Sequence, residues 1–583
     1  MTLLLDERIP RTLDIIVRDW ALEANRGARL EAWVFEDSAA RRRAEEQLSE
    51  TGVAARIRSA YKPLVHAFLD EIDLSNLARV TVRYPVHSEA LPLRFLSEAY
   101  PLSALLDLVE TSFEPGEADL TYRVRAEYRD GHVAETEIFA PNRLRPNHVE
   151  EIDLTPTGWL RVWRAGDDAP EIDQAIETEH EIVFRKVMHA LAAHEWPAAE
   201  PYAETIAIDV VISGIERPLP YGDEVMSTRE ALHEDFYFSL LEFFKRRSGR
   251  PPEDRSLQPG QIVPDIREGE GDALVTVKLA RFDEPSDVAR STQDLERADA
   301  ALDMAQIHRE LAALPGEPFE GVSREGRPVR GLYRTGTRPA VLVSAGQHAN
   351  ETSGPVGALR AARHLLSDPE AHVALIAVEN PDGYALHGRL CEHNPRHMHH
   401  AARYTSLGND LEYDKGNPTY EKGARNQALA LSAAQLHVNL HGYPAHEWTR
   451  PFTGYLPRGF ELWTIPKGFF LIMRHHASWA GQARVLVEAV TKGLTAVPGL
   501  AEFNRRQIEV CSIHSGGAPY EIINEVPCLI TEDERHPSPL TLITEFPDET
   551  IYGEAFRFAH TVQMTTVLAA EAAFAAMMSE QVA

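Results

Sequence analysis

The chain has 583 residues, 44% of them hydrophobic and 25% charged, and carries a formal net charge of -30. That length exceeds a single ordinary core, so about two or three domains are expected, and so acidic a surface repels phosphate backbones, which argues against a nucleic-acid partner. Cys391, Cys511 and Cys528 are too few for a disulfide framework or an all-thiolate zinc site, no basic leader precedes the first apolar residues, and no stretch approaches the ~18 uninterrupted apolar residues of a membrane span. The expectation is a soluble, cytoplasmic protein with no membrane partner.

Residues 1–245 read as a mixed α+β region, in one or two subdomains. Asp130-Gly131 separates two alternating runs, 121–128 and 132–139, because a tight hairpin turn needs the positive φ that Gly supplies. Ser227-Thr228-Arg229-Glu230 has capping-box spacing ahead of a helical stretch at 231–247. Residues 246–302 read as a linker with a connecting strand at 273–282, and a helix follows over 294–314; Gly, Pro and charge dominate 248–264, which predicts a surface loop.

From residue 303 to 583 strands alternate with helices, as in βαβ units. Strands are expected at 340–346, 372–378, 436–440, 527–531 and 540–544, helices at 353–366 and 553–578, and a turn at Asn380-Pro381-Asp382-Gly383. The fold class is therefore α/β, with a mixed, mostly parallel central sheet and flanking helices, preceded by the α+β region. Such sheets bind ligands at the carboxyl ends of their strands.

Candidate ligands stand at those ends. His348 and Glu351 follow the 340–346 strand, and His441 ends the 436–440 strand. Two His and one carboxylate, with a fourth position open to water, form a catalytic zinc set. His393, His397, His399 and His400 form a dense patch just beyond a turn, read as a surface loop in preference to a second metal site. His87-Ser88-Glu89 and His233-Glu234-Asp235 read as surface pairs, and His437 and Asn439 share a strand face with His441.

Four ordered motifs carry a family resemblance: Gly321-Val322-Ser323-Arg324-Glu325-Gly326-Arg327-Pro328, Gly346-Gln347-His348-Ala349-Asn350-Glu351, Asn380-Pro381-Asp382-Gly383-Tyr384 and Leu440-His441-Gly442-Tyr443. In that order they resemble zinc carboxypeptidases of the carboxypeptidase A type, over about residues 303–583. The resemblance implies one Zn2+ per chain on His348, Glu351 and His441, and a Glu general base late in the chain. Glu545 is preferred, since Asp548, Tyr552-Gly553 and one terminal helix follow it; Glu532 is the alternative. It implies an Arg beside the metal, assigned to Arg396 with Arg389 and Arg403 as fallbacks, and Asp410 as the carboxylate behind a zinc-binding His.

The pattern also departs from the family. An Asn and an Arg that grip a substrate's terminal carboxylate are replaced here by Glu412 and Tyr413, and the family's Tyr before Ser515-Gly516-Gly517 is missing, leaving His514 or Tyr520 for that hydrogen bond. Arg425, Arg450 or Arg458 are candidates to rebuild a carboxylate site, whereas Glu412 suits a cationic substrate group. The expected function is a zinc-dependent, carboxypeptidase-like metallopeptidase acting on a peptide or small amide. The alternatives are a zinc deacylase of N-acyl amino acids, of the aspartoacylase or desuccinylase kind, and a non-catalytic binding protein that keeps the fold. For the N-terminal region the open roles are a cap over the site and self-association into a homo-oligomer.

Overall fold

The computed structural model describes residues 1–146, 151–251, 254–282, 289–416, 418–454, 463–517 and 520–582. The N-terminal region builds three four-stranded sheets. The 130–131 hairpin forms as expected, with Gly131 at φ +87° between the strands Thr121–Tyr128 and Val133–Phe139. The expected linker differs in part. Gln261–Glu268 and Ala273–Ala280 are full strands, which pair with Thr205–Ile212, and Ala273–Ala280 also pairs with Thr2–Ile9. Burial of Ile262, Ile266, Val275 and Val277 drives this: their side chains complete the core under the helix Thr228–Ser248.

The second half is organised by a nine-stranded sheet, in the order Glu317–Val322, Pro328–Arg334, Val373–Ile376, Val341–Ala345, Leu436–Tyr443, Leu540–Pro547, Phe470–His475, Val526–Glu532, Glu521–Ile523. The expectation of a mostly parallel sheet needs correction. Four of its pairings are parallel and four antiparallel; three of the parallel ones are consecutive, at the centre. Those central strands are buried on both faces, which is why Val341–Ala345 and Val373–Ile376 read as short apolar runs. The helices Ser353–Leu365, Ala480–Leu494 and Glu554–Val582 pack together on the sheet.

Three local expectations change. The helix expected over 294–314 spans only Met304–Ala312: the Asp303 side chain caps it at the Gln306 N–H (2.6 Å), and Gln306 holds the preceding loop through Gln293. Asn380-Pro381-Asp382-Gly383 opens the helix Pro381–Cys391, with Asn380 accepting from the Gly383 N–H. Residues 554–579 are long and apolar enough to cross a membrane by composition, which the sequence reading did not anticipate. The helix nevertheless buries Phe556, Ala559, Val562, Val567, Ala570 and Phe574 in the main core, and its buried Glu571 pairs with Arg338 (3.1 Å).

The halves share a core. Leu386, Leu390, Met398, Trp448 and Phe452 pack with the apolar residues of the N-terminal sheet and helix. The contact is polar as well. Lys62 pairs with Glu447 at 2.8 Å, Glu230 with His446 at 2.7 Å and Glu234 with His400 at 2.7 Å, all buried. His233, Glu234 and Asp235, expected at the surface, are at most 3% exposed. Ser227 caps its helix at the Glu230 N–H (3.0 Å), but Glu230 does not close the capping box, because its carboxylate is drawn to His446. The histidine patch divides: His393 is exposed as expected, but His397, His399 and His400 are at most 3% exposed, buried against this same helix.

Candidate metal centre

The strand Val341–Ala345 ends at Gly346, whose φ of +61° turns the chain; a Cβ there would stand 3.2 Å from the Val378 backbone. The turn brings His348 and Glu351 over the end of Leu436–Tyr443, the parallel neighbour that carries His441. Gly442 follows, and a Cβ at that position would meet the Asp548 carboxylate at 1.9 Å. The next strand pairs Glu545 with His441 in register, so the late Glu lands beside the cluster.

His348 Nδ1 lies 2.8 Å from Glu351 Oε1, His441 Nδ1 lies 2.9 Å from Glu351 Oε2, and the two Nδ1 atoms are 3.1 Å apart. All three residues are buried and are the one His/Cys/Asp/Glu cluster among the described residues that could hold a metal ion. Zinc bonds of about 2.0–2.1 Å at tetrahedral angles place ligand nitrogens about 3.3 Å apart, so these atoms fit one ion with little movement. Two imidazole nitrogens facing each other across a carboxylate are otherwise poorly matched, and Glu351 Oε2 has no hydrogen bond.

The surroundings fix the ligands. His348 Nε2 faces Asp410 at 3.6 Å, and Asp410 is held by Gln347 (3.1 Å) and by the Glu412 N–H (3.0 Å). Burial works against charge on Asp410, but His348 and Arg403 hold its pKa far below the usual range. Burial likewise disfavours the Glu351 carboxylate, yet His348, His441 and Arg403 keep it ionised. Arg403 donates to Glu351 at 2.8 Å. Glu545 differs: burial first and Glu351 next push its pKa well above the carboxylate range.

A cavity of about 270 Å³ opens on this cluster. His348, His441, Asp410, Arg403, Glu412 and Glu545 line it, with Glu351 behind. Arg396 does not. Its side chain is 48% exposed and pairs with Asp223 at 3.3 Å, because the loop turns it outward while His397 turns in. Arg389 lines a different cavity, between the helix Pro381–Cys391 and the N-terminal sheet. His514 is buried against Leu96 O and Ser103, and neither it nor Tyr520 lines the site cavity. Glu532 is exposed at the end of its strand. Arg425 is held by Glu379 (2.7 Å) and Glu412 (2.5 Å), and Arg450 by Ser239 and Asp235, so neither offers a free guanidinium; Arg458 lies outside the described residues. Glu412, already bound to Arg425 and 3.4 Å from His536, is no open anionic pocket for a cation.

Sequence reasoning missed Arg255, Trp448 and Arg474 on the cavity wall and did not single out His400 from its histidine patch. Arg474 follows the continuous apolar run 469–473, which gives no sign of the strand's partners or of which face Arg474 takes. His400 stacks on Trp448 (4.2 Å, 25°) and is clamped by Glu234, a contact between distant segments that leaves no local signature.

Residues 319–417 match the family model described as zinc carboxypeptidase, less than half of the chain. No curated protein matches the sequence. Among solved structures, the carboxypeptidase A of Helicoverpa armigera is 11% identical with a TM-score of 0.32, covering 58% of this chain and 94% of its own. A metallo-carboxypeptidase from Burkholderia cenocepacia is 14% identical with a TM-score of 0.29, covering 52% and 75%. One from Pseudomonas aeruginosa, in complex with (2-guanidinoethylmercapto)succinic acid, is also 14% identical at 0.29, covering 52% and 72%. Scores this low carry no weight for function; the sequence match and the His348/Glu351/His441 cluster support a metallopeptidase-like hydrolase. Residues 319–417, the segment that carries His348 and Glu351, match the zinc carboxypeptidase model, and it is this family that the chain resembles.

Proposed function

We propose that the chain is a zinc-dependent, carboxypeptidase-like hydrolase of peptide or amide bonds. The observation that carries this reading is the convergence, in one cavity, of the His348/Glu351/His441 cluster with Glu545 and Arg403. When bound, zinc supplies an acidified water and polarises a carbonyl. Glu545 stands beside His441 as the general base, taking the water's proton and returning it to the leaving amine. Arg403, already directed at the ligand set, takes the role first assigned to Arg396 and stabilises negative charge developing on the carbonyl oxygen. Asp410 orients His348. Residues 303–583 are the catalytic unit in this reading, and the preceding region closes it: Arg255 reaches the cavity wall, and Glu234 steadies His400.

A deacylase of N-acyl amino acids is the second reading, since related folds use the same His-x-x-Glu plus His set for that reaction, and the segment His348-Ala349-Asn350-Glu351-Thr352 leans that way. One experiment addresses both. Purified protein is assayed for zinc and for hydrolysis of blocked dipeptides and N-acyl amino acids, with and without chelator. Chelator-sensitive, zinc-restored turnover is expected. Protein that takes up no zinc ends the proposal, and turnover of N-acyl amino acids alone selects the second reading.

A further inference from the structure

The cavity has a charged end that this chemistry does not use, and strand register fixes where it lies. On one sheet face His441, Glu545 and Phe470 share a row. Side chains of one face recur at every second residue, so the next row is Asn439, Ile543 and Ile472, and the one after is His437, Thr541, Arg474 and Thr531. Four residues along a strand put about 13 Å between the backbones of the first and third rows. Cavity-lining residues occur in all three rows, so the pocket runs down the sheet from the metal cluster to Arg474.

Arg474 is half-buried and donates to the Thr531 hydroxyl at 2.5 Å. Among the described residues it pairs with no carboxylate, in a chain with 89 acidic residues against 59 Lys and Arg. Three neighbouring charges are matched: Glu412 by Arg425, Arg535 by Asp533 (2.6 Å) and Arg403 by Glu351. Directly opposite Arg474 in register is Thr541, 1% exposed, whose hydroxyl has no hydrogen-bond partner. A guanidinium without a counter-charge beside an unmet buried hydroxyl forms a cradle for an anion. Arg255, over the Tyr413 ring at 5.6 Å and also without a carboxylate partner among the described residues, makes the neighbouring wall positive.

We propose that Arg474 and Thr541 bind a carboxylate carried by the substrate, so that the preferred substrate presents an aspartyl- or glutamyl-type group to this end of the pocket. The inference rests on the hydrolase reading above and names its substrate class. The cavity volume, about 270 Å³, suits one residue-sized group, and one guanidinium with one hydroxyl suits a single carboxylate.

The test uses the full-length, zinc-loaded protein and blocked dipeptides ending in Glu, Leu or Lys, with kcat and KM measured separately. Wild type is expected to prefer the glutamyl substrate. Arg474→Met lowers the glutamyl-to-leucyl ratio of kcat/KM by about 10- to 100-fold, mostly through KM, the loss expected for a charged hydrogen bond. Arg474→Glu shifts preference toward the lysyl substrate, and Thr541→Val lowers the same ratio by a smaller factor. Calorimetric titration with glutarate separates this inference from the one beneath it. If no dipeptide is cleaved but glutarate binds wild type and not Arg474→Met, the hydrolase reading falls and the anion site stands. If dipeptides are cleaved with no acidic preference, or glutarate binds neither protein or both alike, the anion site is overturned.

Discussion

His446 is where pH acts on the joint between the two halves. The ring is fully buried, with Nε2 2.7 Å from Glu230 and Nδ1 3.2 Å from the Thr550 hydroxyl. Burial lowers its pKa, but Glu230, and then Glu224 and Glu447, outweigh that and raise it from 6.5 to about 9. A raised pKa gives stability that is complete below about 6.5 and is lost as pH rises through about 9. The gap of about 2.5 units corresponds to about 3 kcal/mol. Glu230 is held below its ordinary value by His446 despite burial, so it stays charged throughout this window and its own contribution is lost only on the acid side. Glu224, which burial lifts to about 7, ionises inside the window, so the comparison must be with a variant and not with the wild-type curve alone. His446→Gln keeps a donor for Glu230 and does not titrate. Urea unfolding of both proteins, followed by Trp fluorescence, should show the wild-type advantage shrinking by about 3 kcal/mol between about pH 6 and about pH 10. An advantage that stays constant over that range refutes the charged pair.

Glu545→Gln should cut kcat by about 10²- to 10⁴-fold while zinc content stays at the wild-type level; intact turnover removes Glu545 as base. His441→Ala should lose the metal, read by elemental analysis after dialysis, and full retention would mean the ion sits elsewhere. Arg403→Met should lower kcat by about 10²- to 10³-fold, whereas Arg396→Met, out on the surface, should leave it unaltered; the reverse pattern would restore Arg396 to the site. Arg450→Met leaves Asp235 buried without its cation and should cost about 3–5 kcal/mol of unfolding free energy; a shift below about 1 kcal/mol would show that Asp235 is carried by the Phe452 N–H and Thr453 alone.

What could be read directly is what is local. The apolar strand followed by Gly346, His348 and Glu351, and the strand leading into His441, are short-range patterns, and each sits where its spacing put it. Glu545 could be singled out because it lies late in a strand close to the terminal helix. The choice among arginines was not: Arg396 and Arg403 are seven residues apart in an irregular segment, and only packing decides which guanidinium turns inward. His397 and His400 were misread for the same reason, since they pack against Glu216 and Glu234, remote in sequence.

The sequence by itself determined the composition of the metal cluster and the α/β character of the second half, because ligand spacing and strand periodicity are properties of consecutive residues. Tertiary structure alone decided that the sheet is evenly mixed, that Arg255 reaches the cavity wall and Glu234 backs His400 on it, and that Arg474 lies two rows below Glu545. Strand order, register and interdomain burial depend on which distant segments exclude water together, and no window along one chain records that.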